Sequence, residues 1–191
     1  MLTIVNERKS EHQIDEMFIQ RWSPRAMSSE PIDKETLLKL FEAAKWAPSC
    51  YNEQPWLFAY ADKEKSLKTF RSLLAPKNQL WANKAPVLCI VFARNKFEYN
   101  QSFNFWAQFD CGAAWASLAF QAMKLGLFAH GMGGFDREKV YEKLDISKDD
   151  YTAIAAIAIG RYGDIEELAP EFVESEKPNS RKELSQIIKE Y

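Results

Sequence analysis

Two histidines, His12 and His130, and three cysteines, Cys50, Cys89 and Cys111, are all the soft metal ligands that 191 residues provide. With no Cys-x-x-Cys pair, a zinc site is not expected. An odd, scattered cysteine set is not a disulfide framework, and each thiol reads as a small packing group. No basic tract exists. The 25 Lys and Arg against 27 Asp and Glu leave a formal charge of −2, which argues against nucleic acid or an anionic membrane as partner. The longest apolar runs, near 86–93 and 153–159, are too short to span a bilayer. The first residues lack the order of a signal peptide, and with unpaired cysteines this points to a cytoplasmic protein. Phosphate-loop and nucleophile-elbow motifs are missing. Gly131-Met132-Gly133-Gly134-Phe135-Asp136 starts like a dinucleotide fingerprint, but Asp136 stands where the third glycine belongs.

Aromatic residues, by contrast, are abundant: six Trp, 13 Phe and seven Tyr. They fill cores, line pockets for planar ligands and cover subunit interfaces, so the surplus points to a ligand, an oligomer or both. The length favours one domain over 1–191, and no repeat or linker divides it. Periodicity predicts helices over 11–20, 34–46 (with Asp33 as N-cap), 65–74 and 136–144. A further helix over 109–125 is apolar over much of its circumference and ends at Gly126. Strands fit 56–61, 86–93, 127–130 and 151–159. The aromatic, polar stretch 94–108 reads as a mobile helical cover. The charged stretch 164–191, with Pro170 and Pro178, reads as an extended arm ending in a short helix. Interleaved helices and strands make the class α/β or α+β.

Four polar elements, far apart in sequence, are candidates for a site. The loop Ala47-Pro48-Ser49-Cys50-Tyr51-Asn52-Glu53-Gln54-Pro55-Trp56 joins a helix to a strand. Its prolines stiffen it and its amides can bond a flat polar ligand; otherwise it is an ordinary connector. Arg21-x-Ser23-x-Arg25 is either a solvated basic stretch or a grip on an anionic, polyhydroxyl ligand. Asn78-Gln79 precedes a buried strand. Gly131-Met132-Gly133-Gly134 offers unshielded backbone amides to a flat ring.

In order and spacing these elements resemble the nitroreductase family of FMN-dependent oxidoreductases. Ala85-Pro86, Gly126-Leu127 and Ser180-Arg181-Lys182 extend the resemblance over nearly the whole chain. It implies an α+β fold, a mainly antiparallel sheet wrapped by helices, built as an intertwined homodimer with FMN at the interface. The helix 109–125 would then pack at the dimer centre, and 164–191 would embrace the partner chain. Carried over, Arg21, Ser23 and Arg181, with Trp22 beside them, hold the phosphate and ribityl chain. Arg25 faces the flavin N1–O2 edge, where negative charge accumulates on reduction. Gln79, with Asn78 as its near alternative, contacts the pyrimidine edge. Gly131, Met132, Gly133 and Gly134 lie near N5 and O4, and Pro48, Ser49, Tyr51 and Asn52 come from the other subunit. NADH or NADPH would be the reductant in a ping-pong cycle, and a nitroaromatic, quinone, activated alkene or aldehyde the acceptor. The flavin carries that chemistry, so no side chain is assigned as catalytic. Dehalogenating or flavin-cleaving relatives, or a non-catalytic FMN-binding dimer, are the alternatives. Cys50 departs from the family, standing where many relatives have a second serine or glycine.

Overall fold

In the computed structural model, which describes residues 6–191, four strands pair into one sheet. They are β1 (Trp56–Ala61), β2 (Val87–Arg94), β3 (Phe128–Met132) and β4 (Tyr151–Gly160). Their order is β1-β2-β4-β3, and every pairing is antiparallel. The helices are α1 (Glu16–Gln20), α2 (Lys34–Lys45), α3 (Glu64–Leu73), α4 (Pro76–Ala82), α5 (Ala107–Lys124), α6 (Lys139–Leu144) and α7 (Pro170–Val173). The fold is α+β.

The central strand β2 is buried on both faces, which is why its sequence is continuously apolar instead of alternating. Val87, Cys89, Val91 and Ala93 pack with Leu37, Leu40 and Ala44 of α2 and with Ala114, Leu118 and Ala122 of α5. On the other face Leu88, Ile90 and Phe92 join Leu67, Phe70 and Leu73 of α3, Val140 of α6 and Phe172 of α7. A register shift between Val91 and Phe92 leaves Ile154 of β4 without a partner in the ladder.

Local chemistry sets the helix ends. The Asp33 carboxylate accepts from Thr36 N at 2.8 Å and starts α2. Gly126, at φ +69°, ends α5 in a Schellman turn closed by Leu127 N to Ala122 O at 2.9 Å. Three expectations need correction. The first helix is only α1, because the Asp15 side chain caps Met17 N at 2.8 Å and fixes the start there. The segment 94–106 is not helical. It doubles back through an antiparallel bridge between Lys96 and Phe103, and Asn100 and Asn104 side chains bond nearby backbone N–H groups, in competition with helix formation. The stretch 164–191 is not simply an extended arm either: Leu168, Phe172 and Glu176 are buried within the chain's own fold, while residues 177–191 are mostly exposed. Two helices, α4 and α7, fall outside those predicted from periodicity. Pro76 and Pro170 sit in their first turns, where the missing N–H costs nothing.

Candidate functional site

The chain from Arg21 to Ser28 is laid against the end of β4. Ser28 N donates to Arg161 O at 3.0 Å and Gly163 N to Ala26 O at 2.8 Å. Only glycine fits at 163, because a Cβ there would lie 2.7 Å from Met27 C and Ser28 N. Trp22 packs on Phe128 and Tyr162, with ring centroids 6.0 and 5.8 Å away. Further along, His130 Nδ1 bonds the Pro24 carbonyl at 2.8 Å. The Glu176 carboxylate accepts from Arg25 N at 2.8 and 3.0 Å and from Ala26 N at 2.8 Å.

Arg25 then reaches an open cleft of about 370 Å³ that it shares with Lys77, Asn78, Trp81, His130 and Gly131–Gly134. Its guanidinium lies 5.4 Å from the centre of the Phe172 ring and donates to Ser175 Oγ at 3.4 Å. Lys77 approaches the same ring at 5.8 Å. One wall of the cleft is the Gly131–Gly134 segment. Gly134 O accepts from Asn78 Nδ2 at 2.8 Å and from Ala75 N at 3.0 Å. A Cβ at Gly134 would stand 2.8 Å from Asn78 Nδ2, whereas one at Gly133 would meet nothing within 4 Å. Of the two adjacent amides, Asn78 lines the cleft. Gln79 is tied to Leu74 O at 2.7 Å.

At the other end of this segment three guanidiniums gather. Arg8 Nη1 donates to Ile19 O at 3.0 Å and Arg21 O at 2.8 Å, and Arg8 Nε to Asn179 O at 2.6 Å. Arg181 Nη1 donates to the same Asn179 oxygen at 3.2 Å, and Arg21 Nη1 to Ser23 Oγ at 3.2 Å. Among the described residues none of the three forms an ion pair with a carboxylate. Burial, and then the charge of Arg181, lower the pKa of both Arg8 and Arg21. A cavity of about 470 Å³ opens beside Arg8, Ser180, Arg181 and Lys182, with Glu7, Glu11 and Glu183 also on its wall. Converging guanidiniums without a counter-ion favour a multiply charged oxyanion. Residues 21 to 25 span at most about 14 Å, so the arrangement suits a ligand with an anion at one end and a flat ring at the other.

The loop from Pro48 to Gln54 is elsewhere. It enters β1, whereas Gly131–Gly134 leaves β3, and these strands are the two edges of the sheet. Three interstrand spacings, about 14 Å, separate them, so one chain does not bring Ser49, Tyr51 and Asn52 to Arg25. Tyr51, Asn52 and Gln54 all have positive φ, between 51° and 56°. That is an uncommon run for non-glycine residues and a store of local strain. It is held by Asp110 Oδ2 accepting from Cys50 N at 3.1 Å and by Ser49 Oγ accepting from Gln54 N at 3.0 Å. Tyr51 is 81% exposed, and Phe103, Phe105 and Phe109 are each more than 70% exposed.

The structure adds Arg8, Lys77, His130 and Glu176 to the residues around these sites. No local motif marks them: each acts through a partner at least 13 residues away. His130 lies against Trp81, with ring centroids 4.5 Å apart. Burial, and then the Arg25 and Arg21 charges against the helping bond to Pro24 O, bring its pKa down to about 4. The ring is therefore neutral at pH 7, with Nδ1 as its donor. Cys89 and Cys111 are buried, and burial raises both thiols, Cys111 to about 12, so neither is a nucleophile. Among the described residues no cluster of three His, Cys, Asp or Glu is arranged to hold a metal, and no helix is long and apolar enough to cross a membrane.

Residues 19–79 and 61–161 match the model of the Nitroreductase family. The "Putative NADH dehydrogenase/NAD(P)H nitroreductase" of Archaeoglobus fulgidus is 33% identical over 129 residues, covering 64% of this chain and 68% of that one. A solved structure described as "the oxidoreductase containing FMN" superposes with a TM-score of 0.93 at 42% identity, over 99% of this chain and 97% of the other. The Nitroreductase Family Protein from Streptococcus pneumoniae shares the fold, with a TM-score of 0.73 at 21% identity over 92% and 98% of the two chains.

Proposed function

Because the chain belongs to the nitroreductase family, we propose that it is a homodimeric FMN-dependent oxidoreductase. Residues 1–191 form one nitroreductase-like unit. It takes electrons from NADH or NADPH and passes them, in a ping-pong cycle, to a small nitroaromatic, quinone, activated alkene or aldehyde. The observation that carries this reading is the set of guanidiniums, Arg8, Arg21 and Arg181, that form no ion pair among the described residues and are joined by a short segment to the cleft of Arg25 and Gly131–Gly134. That donor set fits FMN: a phosphate at the guanidiniums, hydroxyls near Ser23, a flat ring against Gly133, where nothing fills the space of a Cβ.

When bound, FMN supplies a ring that accepts two electrons from the nicotinamide and returns them to the acceptor. The protein's part is to bind, orient and tune. Arg25 and Lys77 hold positive charge at the cleft, which favours a ring carrying extra negative charge. His130, kept neutral, adds no charge of its own. Asn78 fixes the Gly134 carbonyl, and with it the course of the backbone along the cleft.

The separation of the Pro48–Asn52 loop from Arg25 supports a site completed by a second copy. So does the outer stripe of α5, where Phe109 and Gly112 are exposed and Ala116 and Phe120 half-buried, an apolar surface of the kind that subunits cover. Residues 177–191 rest on the chain's own residues 8–11 through Arg8 to Asn179 O and Leu184 N to Glu11, and their mostly exposed outer surface is open to that copy. The test is spectroscopic. The purified or reconstituted protein should be yellow with about one FMN per chain, bleach on addition of NADH or NADPH, and recover colour with menadione or nitrofurazone. Release of FAD, or no flavin uptake at all, would refute the assignment. Flavin that stays oxidised under excess NAD(P)H would leave only a binding module.

A further inference from the structure

We infer that His130 and Glu176 are positioning residues for Arg25, gripping from opposite sides the single peptide group that precedes it. The inference rests on the cleft being a flavin site. The Pro24 carbonyl and the Arg25 N–H belong to one peptide unit. In a trans peptide they point in opposite directions. His130 Nδ1–H donates to that carbonyl at 2.8 Å, and Glu176 accepts from that N–H at 2.8 and 3.0 Å. The next N–H, on Ala26, also ends on Glu176 Oε1 at 2.8 Å. The peptide plane is therefore held at both ends, and with it the direction in which the Arg25 side chain leaves the backbone.

Both holding groups are themselves fixed. The His130 ring lies on Trp81. Glu176 is only 3% exposed and, among the described residues, forms no ion pair. Burying an unpaired carboxylate is expensive. An apolar side chain would fill the same volume without that cost, yet it would leave two backbone donors unanswered. The same segment holds the far end of the side chain, with the Phe172 ring beneath the guanidinium and Ser175 Oγ beside it. Arg25 is thus located at its root by Glu176 and His130, and at its tip by Phe172 and Ser175. A cation that must sit at one edge of a ring needs this pre-organisation, because a loosely held charge stabilises less.

The experiment compares the full-length wild type with E176Q, E176A, H130N and H130A. Three quantities are measured: amide hydrogen exchange at Arg25 and Ala26 without flavin, FMN dissociation constant, and the potential of bound FMN. E176Q keeps an oxygen that can accept from both amides while removing the charge; H130N keeps a donor near the Nδ1 position. Exchange at Arg25 and Ala26 should accelerate about tenfold or more in E176A, and its flavin potential should fall. E176Q should stay near wild type in both. H130A should weaken FMN binding and lower the potential, with H130N recovering part of each. A potential in E176Q shifted as far as in E176A would overturn the inference, because charge and not position would then be acting. An unchanged potential in E176A would overturn it too. Should E176A fail to fold, the H130A and H130N pair decides: equal potentials in both and in the wild type refute the grip. Wild type that takes up no FMN would sink the flavin reading instead, while the exchange measurement still tests the grip itself.

Discussion

Lowering the pH from 7 to 4 should destabilise the flavin-free protein by about 3 kcal/mol through His130 alone. The ring is enclosed by Trp81 and the 21–25 segment, and its pKa falls from 6.5 to about 4. Below pH 6.5 the unfolded chain therefore binds a proton that the folded chain refuses. Stability drops with a slope approaching 1.4 kcal/mol per pH unit, the loss amounts to about 3 kcal/mol by pH 4, and it levels off only below that. Glu176 acts in the opposite sense. Burial raises its carboxyl pKa, so the folded chain binds that proton more readily and its contribution to stability grows as the pH falls. The assay is urea unfolding followed by tryptophan fluorescence at pH 7, 6, 5 and 4, for wild type and His130→Asn. Protein concentration is held constant, since assembly would add its own term. The carboxylates largely cancel between the two proteins, so the difference reports the imidazole. Wild type should lose about 3 kcal/mol more than the variant over this range. Parallel stability curves would refute the reasoning, and would mean that the ring accepts its proton without leaving its place.

The two arginines of the 21–25 segment should separate. Arg21→Ala should weaken FMN binding by about 1.5–3 kcal/mol, with turnover restored by saturating FMN. Arg25→Ala should instead lower the flavin potential and resist rescue; a redox titration beside turnover at rising FMN distinguishes them. A chain ending at Lys177 should melt near the full-length temperature yet hold FMN poorly, since it lacks Arg181. One ending at Gly163 also loses buried Leu168 and Phe172, at about 2–5 kcal/mol each, and should show no cooperative melt by circular dichroism. Gly134→Ala drives a Cβ to within 2.8 Å of Asn78 Nδ2. It should lower stability by about 1–3 kcal/mol in the same measurement.

Much of the fold was legible because hydrophobic periodicity and capping act over short range. The continuous apolar run of β2 and the Asp33 cap of α2 announce themselves locally, as does Gly126 after α5. The aromatics of the segment 94–106 suggest a helix, while Asn100 and Asn104 bond backbone N–H groups two residues on and Asn95 donates to the distant Asp149 carbonyl. Pro76 ends the helical periodicity of 65–74, yet a proline is equally at home in a first helical turn, and here it opens α4. The family motif marked Arg21, Ser23, Arg25 and Gly131–Gly134 because those residues lie in contiguous runs. It could not mark Glu176, whose partners are 150 and 151 residues distant. Nor could it mark Arg8, which bonds three carbonyls from two separate segments. Charge alone does not say which backbone a side chain will meet.

The placement of the Pro48–Gln54 loop and the Arg25 cleft at opposite edges of the sheet gives the proposed homodimer a genetic consequence. If the site is completed by a second copy, as proposed above, each complete site draws its β1 edge from one copy and its β3 edge from the other. A copy damaged only at Arg25 and a copy damaged only at the Ser49–Asn52 loop would each be inactive alone. Mixed in one cell they would recover function, because one of the two sites in every mixed pair is assembled wholly from undamaged edges. Random pairing of equal amounts would restore about a quarter of the normal sites. Two lesions in the same edge would restore none, so complementation between damaged alleles would map the two halves of the site without any structure.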